Sequence, residues 1–141
     1  MISATPGNPL NIVLDTNIII SSIFFGGNPE KIIRLTLKKK FNPYISPPII
    51  NETLEVLYKK FSFSKELLNQ VDKKIKSNFQ VVYPLEKIHV LKDEPDNRIL
   101  ETAVAGNCAI IVSGDKEMLK LKKYKNIRIL TASEFLKETI D

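Results

Sequence analysis

Asn11-Ile12-Val13-Leu14-Asp15 is a short apolar run that ends on a carboxylate. An unbroken run of this kind reads as a parallel strand buried on both faces. A carboxylate at its end is desolvated at a cost unless it is used. Working outward, Thr16 to Phe25 stays apolar and reads as a helix, broken by Gly26-Gly27. Asn28-Pro29 then suggests a cap followed by proline in a first turn. Ile32, Ile33, Leu35 and Leu37 supply that helix with its inward stripe, and Lys38-Lys39-Lys40 closes it. The strongest strand after the first is Ala109-Ile-Ile-Val112. It runs into the turn Ser113-Gly114-Asp115 and a short helix carrying Met118, Leu119 and Leu121.

The remaining segments follow the same alternation. Pro43 to Ser46 reads as a strand, and Ser46-Pro47-Pro48 as a cap and helix start. Ile49, Ile50, Leu54, Leu57 and Tyr58 form the expected buried face of that helix. Ser64 caps a helix to about Lys76, with Leu67, Leu68, Val71 and Ile75 inward. Gln80 to Tyr83 is a weak strand, and Pro84 to Pro95 a charged loop. Asp96 reads as the cap of a helix to about Ala105, ended by Gly106-Asn107. A last strand spans Asn126 to Leu130, and Thr131-Ala-Ser-Glu134 is a capping box for the final helix. Strands alternating with helices predict an α/β domain with a parallel sheet covered on both faces. Residues 1–10 are expected to be a disordered leader and 11–141 a single domain.

The chain has 141 residues, room for one core. No apolar run approaches the roughly 18 residues that span a bilayer, and the N-terminus lacks a signal-peptide pattern. The expected location is cytoplasmic, with no membrane partner. Cys108 is the only cysteine and lies in an apolar stretch, so it reads as a small buried hydrophobe. His89 is the only histidine. Serine–histidine and cysteine–histidine catalysis would rest on it alone, and a zinc site of His and Cys is nearly excluded by count. The formal charge of +5 suits a polyanionic partner. Lysine clusters such as Lys59-Lys60 and Lys122-Lys123 are candidates for flanking a cleft, although most lysine clusters are simply solvated helix faces.

The acids carry more information. Asp15 ends the first strand and Asp115 lies just past the end of the fourth, so both reach the carboxyl edge of the sheet. Asp96 at a helix start and Glu52 in the second turn of another helix can reach the same edge. Alone, Asp96 reads as a cap, Glu52 as helix surface and Asp115 as a turn residue. Together, four converging carboxylates repel one another and need a cation. All-oxygen donors select Mg²⁺ or Mn²⁺. Metal held in this way can activate water and stabilise a leaving oxygen, which is phosphodiester hydrolysis without a protein nucleophile.

Four stretches, in order, resemble the motifs of PIN domains: Val13-Leu-Asp15-Thr16-Asn17, Glu52 within Ile50 to Leu54, Asp93 to Ala103 around Asp96, and Ile111 to Leu119 around Asp115. The resemblance runs from about residue 11 to 136. It implies a three-layer α/β/α sandwich with a mostly parallel central sheet, a Mg²⁺ or Mn²⁺ site, and cleavage of single-stranded RNA. It is nearest to VapC-like toxins of prokaryotic toxin–antitoxin pairs, which implies an antitoxin partner and a homodimer, with Phe24-Phe25 and Phe61/Phe63 as contact or core residues. By resemblance, Asn17 and Ser113 support the carboxylates or bound water, with Ser113 standing where many relatives have threonine. Asp93 is a spare ligand candidate by the same resemblance.

Three other readings compete with this one. A phosphatase with Asp15 as nucleophile needs a second aspartate at position 17, which is Asn17. A phosphoacceptor domain needs an acidic neighbour beside Asp15, and there is none. A non-catalytic RNA-binding or scaffold module would be expected to lack some of the acids, and all four are present. An RNA-processing nuclease that is not a toxin stays open.

Overall fold

The computed structural model of the chain describes residues 9–139. The expected leader falls outside them apart from Pro9 and Leu10, and Leu10 already belongs to the sheet. At the centre stands β1 (Leu10–Leu14), paired in parallel with β2 (Phe41–Ile45) on one side and β4 (Ile110–Val112) on the other. β3 (Gln80–Val81) extends the sheet beyond β2, and β6 (Ile127–Leu130) beyond β4, both in parallel. β5 (Lys123–Tyr124) closes the far edge antiparallel to β6. The order is β3-β2-β1-β4-β6-β5. Ile12, Val13, Leu14, Ile110, Ile111 and Val112 are all buried, as strands covered on both faces require.

The chain leaves β1 through α1 (Thr16–Phe24) and α2 (Gly27–Leu37), and leaves β2 through α3 (Pro47–Phe61) and α4 (Lys65–Asn78). It then returns through α5 (Glu94–Ala105) to the other side of β1. Right-handed crossovers taken in opposite senses are the usual route to helices on both faces of a parallel sheet, and α3 packs against both α1 and α5. α5 packs on β1, β2 and β4, while α2 packs on α1 and on α7 (Ala132–Thr139). The expected three-layer α/β/α sandwich with a mostly parallel sheet is therefore present. The reversal between β1 and β4 is a topological switch point, where strand ends leave a crevice.

Several local expectations are corrected. Asp96 is not the helix cap: α5 begins at Glu94 with Asp93 at the cap position and Pro95 in the first turn, so Asp96 lies inside that turn. The proline two residues after Asp93 pre-sets the helical φ and moves the start upstream. Likewise α2 begins at Gly27, because Gly26 and Gly27 take left-handed φ values of 66° and 68° that turn the chain before Asn28. Ser46 occupies the cap position of α3, but its buried hydroxyl bonds Thr102 Oγ1 at 2.7 Å instead of the helix backbone. Leu37, Tyr58 and Leu67, expected inward, are exposed. The capping box at Thr131 and Glu134 forms reciprocally, at 2.9 and 3.1 Å.

Candidate active site

Asp15 follows directly on β1, and its backbone N–H donates to the Val112 carbonyl at 3.1 Å, across the switch point. It also caps α1: Oδ1 accepts from the Ile18 N–H at 2.9 Å. Oδ2 accepts from the Ser113 hydroxyl. The residue is only 6% exposed. Burial pushes its carboxyl above the usual range, against the hydrogen bonds from Ser113 and from the backbone of Ile18 and Gly114, and nearby Asp115 adds to the rise.

Ser113 continues β4 and is fully buried. Its hydroxyl donates to Asp15 and accepts from the Asp115 N–H at 3.0 Å, so one side chain ties the two strand-end acids together. Asp115 is half-buried and caps α6 (Lys116–Lys120) through the Met118 N–H at 3.0 Å. That bond uses Oδ1.

Asp96 enters from the first turn of α5. Its Oδ2 is buried and has no hydrogen-bond partner among the described residues. Its carboxyl is pushed up to about 7, by desolvation first and then by the charges of Asp115, Asp93, Asp15 and Glu52. The other three acids expected from the sequence, with the spare Asp93, are the charges that act on it. Glu52 is half-buried on α3. Asn17, expected to brace the carboxylates, is exposed and hydrogen-bonds no described residue. Thr16, beside Asp15, keeps a buried Oγ1 without a partner.

The donor chemistry suits a hard divalent cation. The donors are all oxygen, they repel one another, and a buried carboxylate oxygen on Asp96 lacks a partner. Among the described residues no three such side chains are gathered into a ready-made ion site in the crevice at the switch point.

Two residues that hold this cleft were not singled out from the sequence. Asn97 is fully buried; its amide accepts from the Leu91 N–H at 2.9 Å and donates to the Leu91 carbonyl at 2.8 Å. Glu101 accepts from the Ile88 N–H at 2.9 Å and from Arg98 at 2.7 Å. Together they clip the loop before α5 onto that helix and so set where Asp96 begins. Glu101 follows Asn97 by four residues, which places both on one helix face, and that spacing is the available sequence signal.

A family model described as PIN domain matches residues 11–117. No curated protein matches the chain in sequence. Solved structures do. VapBC-1 from nontypeable Haemophilus influenzae is similar with a TM-score of 0.64 at 17% identity, over 88% of this chain and 99% of that one. VapBC2 from Rickettsia felis, solved bound to a DNA fragment from its promoter, gives 0.56 at 20% identity, over 85% and 97%. The PIN domain endonuclease Utp24 gives 0.52 at 22% identity, over 87% and 85%. At these identities the likeness is one of fold. β6, beyond the matched span, pairs with β4 and so belongs to the same sheet. No helix among the described residues is long and apolar enough to cross a membrane.

Proposed function

This chain belongs to the PIN-domain family, and from that premise we propose that it is a divalent-metal-dependent endoribonuclease acting on single-stranded RNA. The observation that carries the reading is the Ser113 hydroxyl tying the Asp15 carboxylate to the Asp115 backbone N–H at the switch point, with the Asp96 carboxyl raised by desolvation and by the surrounding acids. In this reading Asp15, Glu52, Asp96 and Asp115 hold Mg²⁺ or Mn²⁺. The bound ion would supply a more acidic water and stabilise charge on the leaving oxygen. The chain's own groups do the rest. Ser113 fixes the rotamers of Asp15 and the backbone before Asp115. The unpaired Oδ2 of Asp96 takes a cation or, without one, a proton. Asn17, exposed beside Asp15, contacts substrate or ordered water. Residues 11–141 work as one domain.

We further propose that the chain is the toxin of a toxin–antitoxin pair, works in the cytoplasm, and forms a homodimer held inactive by an antitoxin. The two VapBC neighbours support this side of the reading, and the endonuclease Utp24 supports the nuclease chemistry without a toxin role. Induced expression in a bacterial host separates them. A toxin arrests growth and fragments cellular RNA, and an Asp115→Asn variant made at the same level does neither. Growth unaffected by wild-type chain that cleaves RNA in vitro would leave the nuclease and remove the toxin.

A further inference from the structure

A groove of about 460 Å³ leads away from Glu52 along one face of α3. Glu52, Glu55 and Lys59 follow one another at helical spacings of three and four, and all line it. Pro95, one residue before Asp96, forms part of its lining from α5, so the groove and the acid cluster share a border. Charge changes sign along the groove. Glu52 and Glu55 stand near the cleft, and Lys59 and Lys60 lie beyond, Lys59 about 10 Å from Glu52 along the helix axis. Lys60 has no ion-pair partner among the described residues. Lys59 pairs with Glu55 at 2.7 Å, but both side chains are exposed, so little is lost if the ammonium turns to another anion. Tyr58 is 63% exposed on another face of α3 and does not line the groove.

We propose that this groove carries the single-stranded RNA on one side of the scissile phosphate, with Lys59 and Lys60 on backbone phosphates. The proposal rests on the nuclease reading and adds the path of its substrate. Two lysines along a groove that borders the acid cluster offer successive backbone phosphates of a strand a place to bind, without reading its sequence.

The test is a binding titration of labelled mixed-sequence single-stranded RNA in Mg²⁺, followed by fluorescence anisotropy. It uses full chain carrying Asp15→Asn to prevent cleavage. Adding Lys59→Glu with Lys60→Glu is expected to raise Kd at least about tenfold and to flatten the slope of log K against log salt by about 1.4, the loss of two phosphate contacts. Glu55→Gln is expected to tighten binding about twofold, since it removes a competing anion. Tyr58→Ala, outside the groove on another face of α3, is expected to leave Kd unchanged. A matched control, Lys73→Glu with Lys74→Glu on exposed α4 positions, changes net charge equally and shifts Kd much less. Tight binding by the parent with equal losses in the control and groove variants overturns the track and leaves the nuclease standing. No RNA binding by the parent overturns the track, and cleavage of the same RNA by the wild-type chain then decides the nuclease reading separately.

Discussion

Replacing Asp15 by asparagine is expected to lower RNA cleavage by about a thousandfold or more, about 4 kcal/mol of transition-state stabilisation, while the metal-free protein melts no earlier than wild type. The two halves of this expectation have one cause. Asp15 is nearly enclosed, and its charge is held there against desolvation. Asparagine has almost the same shape, keeps an oxygen to accept from the Ile18 N–H, and removes the buried charge. What it removes with the charge is the donor that a divalent cation needs. A variant that loses cleavage by unfolding would instead melt several degrees lower. Retained activity with an intact melting curve would take Asp15 out of the site.

The second large effect is on stability, and it joins pH to metal. The Asp96 carboxyl lies at about 7 in the folded chain, against an ordinary value of 3.8. Between those values the unfolded chain has released its proton and the folded chain has not. The unfolded state then binds fewer protons, so stability falls as pH rises from about 4 to about 7 and levels off above. Asp15 is shifted in the same direction and adds to the trend. A divalent ion that takes the place of the proton reverses it. At pH 8, millimolar Mg²⁺ or Mn²⁺ is expected to raise Tm by about 3 °C or more, with a chelator restoring the lower value. Melting curves recorded from pH 4 to 8, with and without metal, check both. A Tm blind to either ion at pH 8 would contradict a metal site at these acids.

The sheet was readable because its central strands are unbroken apolar runs. Asn11–Leu14 and Ala109–Val112 have no polar face to present, so they had to lie inside a parallel sheet, and their trailing acids had to meet at its edge. The capping box at Thr131 was readable because its partners are three residues apart. The departures come from interactions that local pattern does not encode. Ser46 gives up its cap bond for Thr102, 56 residues away in sequence. Asp93 takes the cap position expected of Asp96 because Pro95 moves the helix start. β5 is only two residues long and exists through its pairing with β6, so no periodicity could reveal it. Asn97 and Glu101 gain their role only from the loop folded against α5, which helix periodicity does not encode. The correction to Asp96 matters most for function. Released from capping, its carboxylate turns an unpartnered oxygen into the interior beside the other acids.

The most direct measurement is Mn²⁺ binding by calorimetric titration, made on the same samples assayed for cleavage of mixed-sequence single-stranded RNA, for wild type, Asp15→Asn and Asp115→Asn. The expected result is that wild type binds Mn²⁺ and cleaves RNA until a chelator is added, and that each variant, still folded, loses both. Cleavage that persists in chelator, or in both variants, would contradict a catalytic metal held by these carboxylates, as would a folded wild-type chain that binds no Mn²⁺.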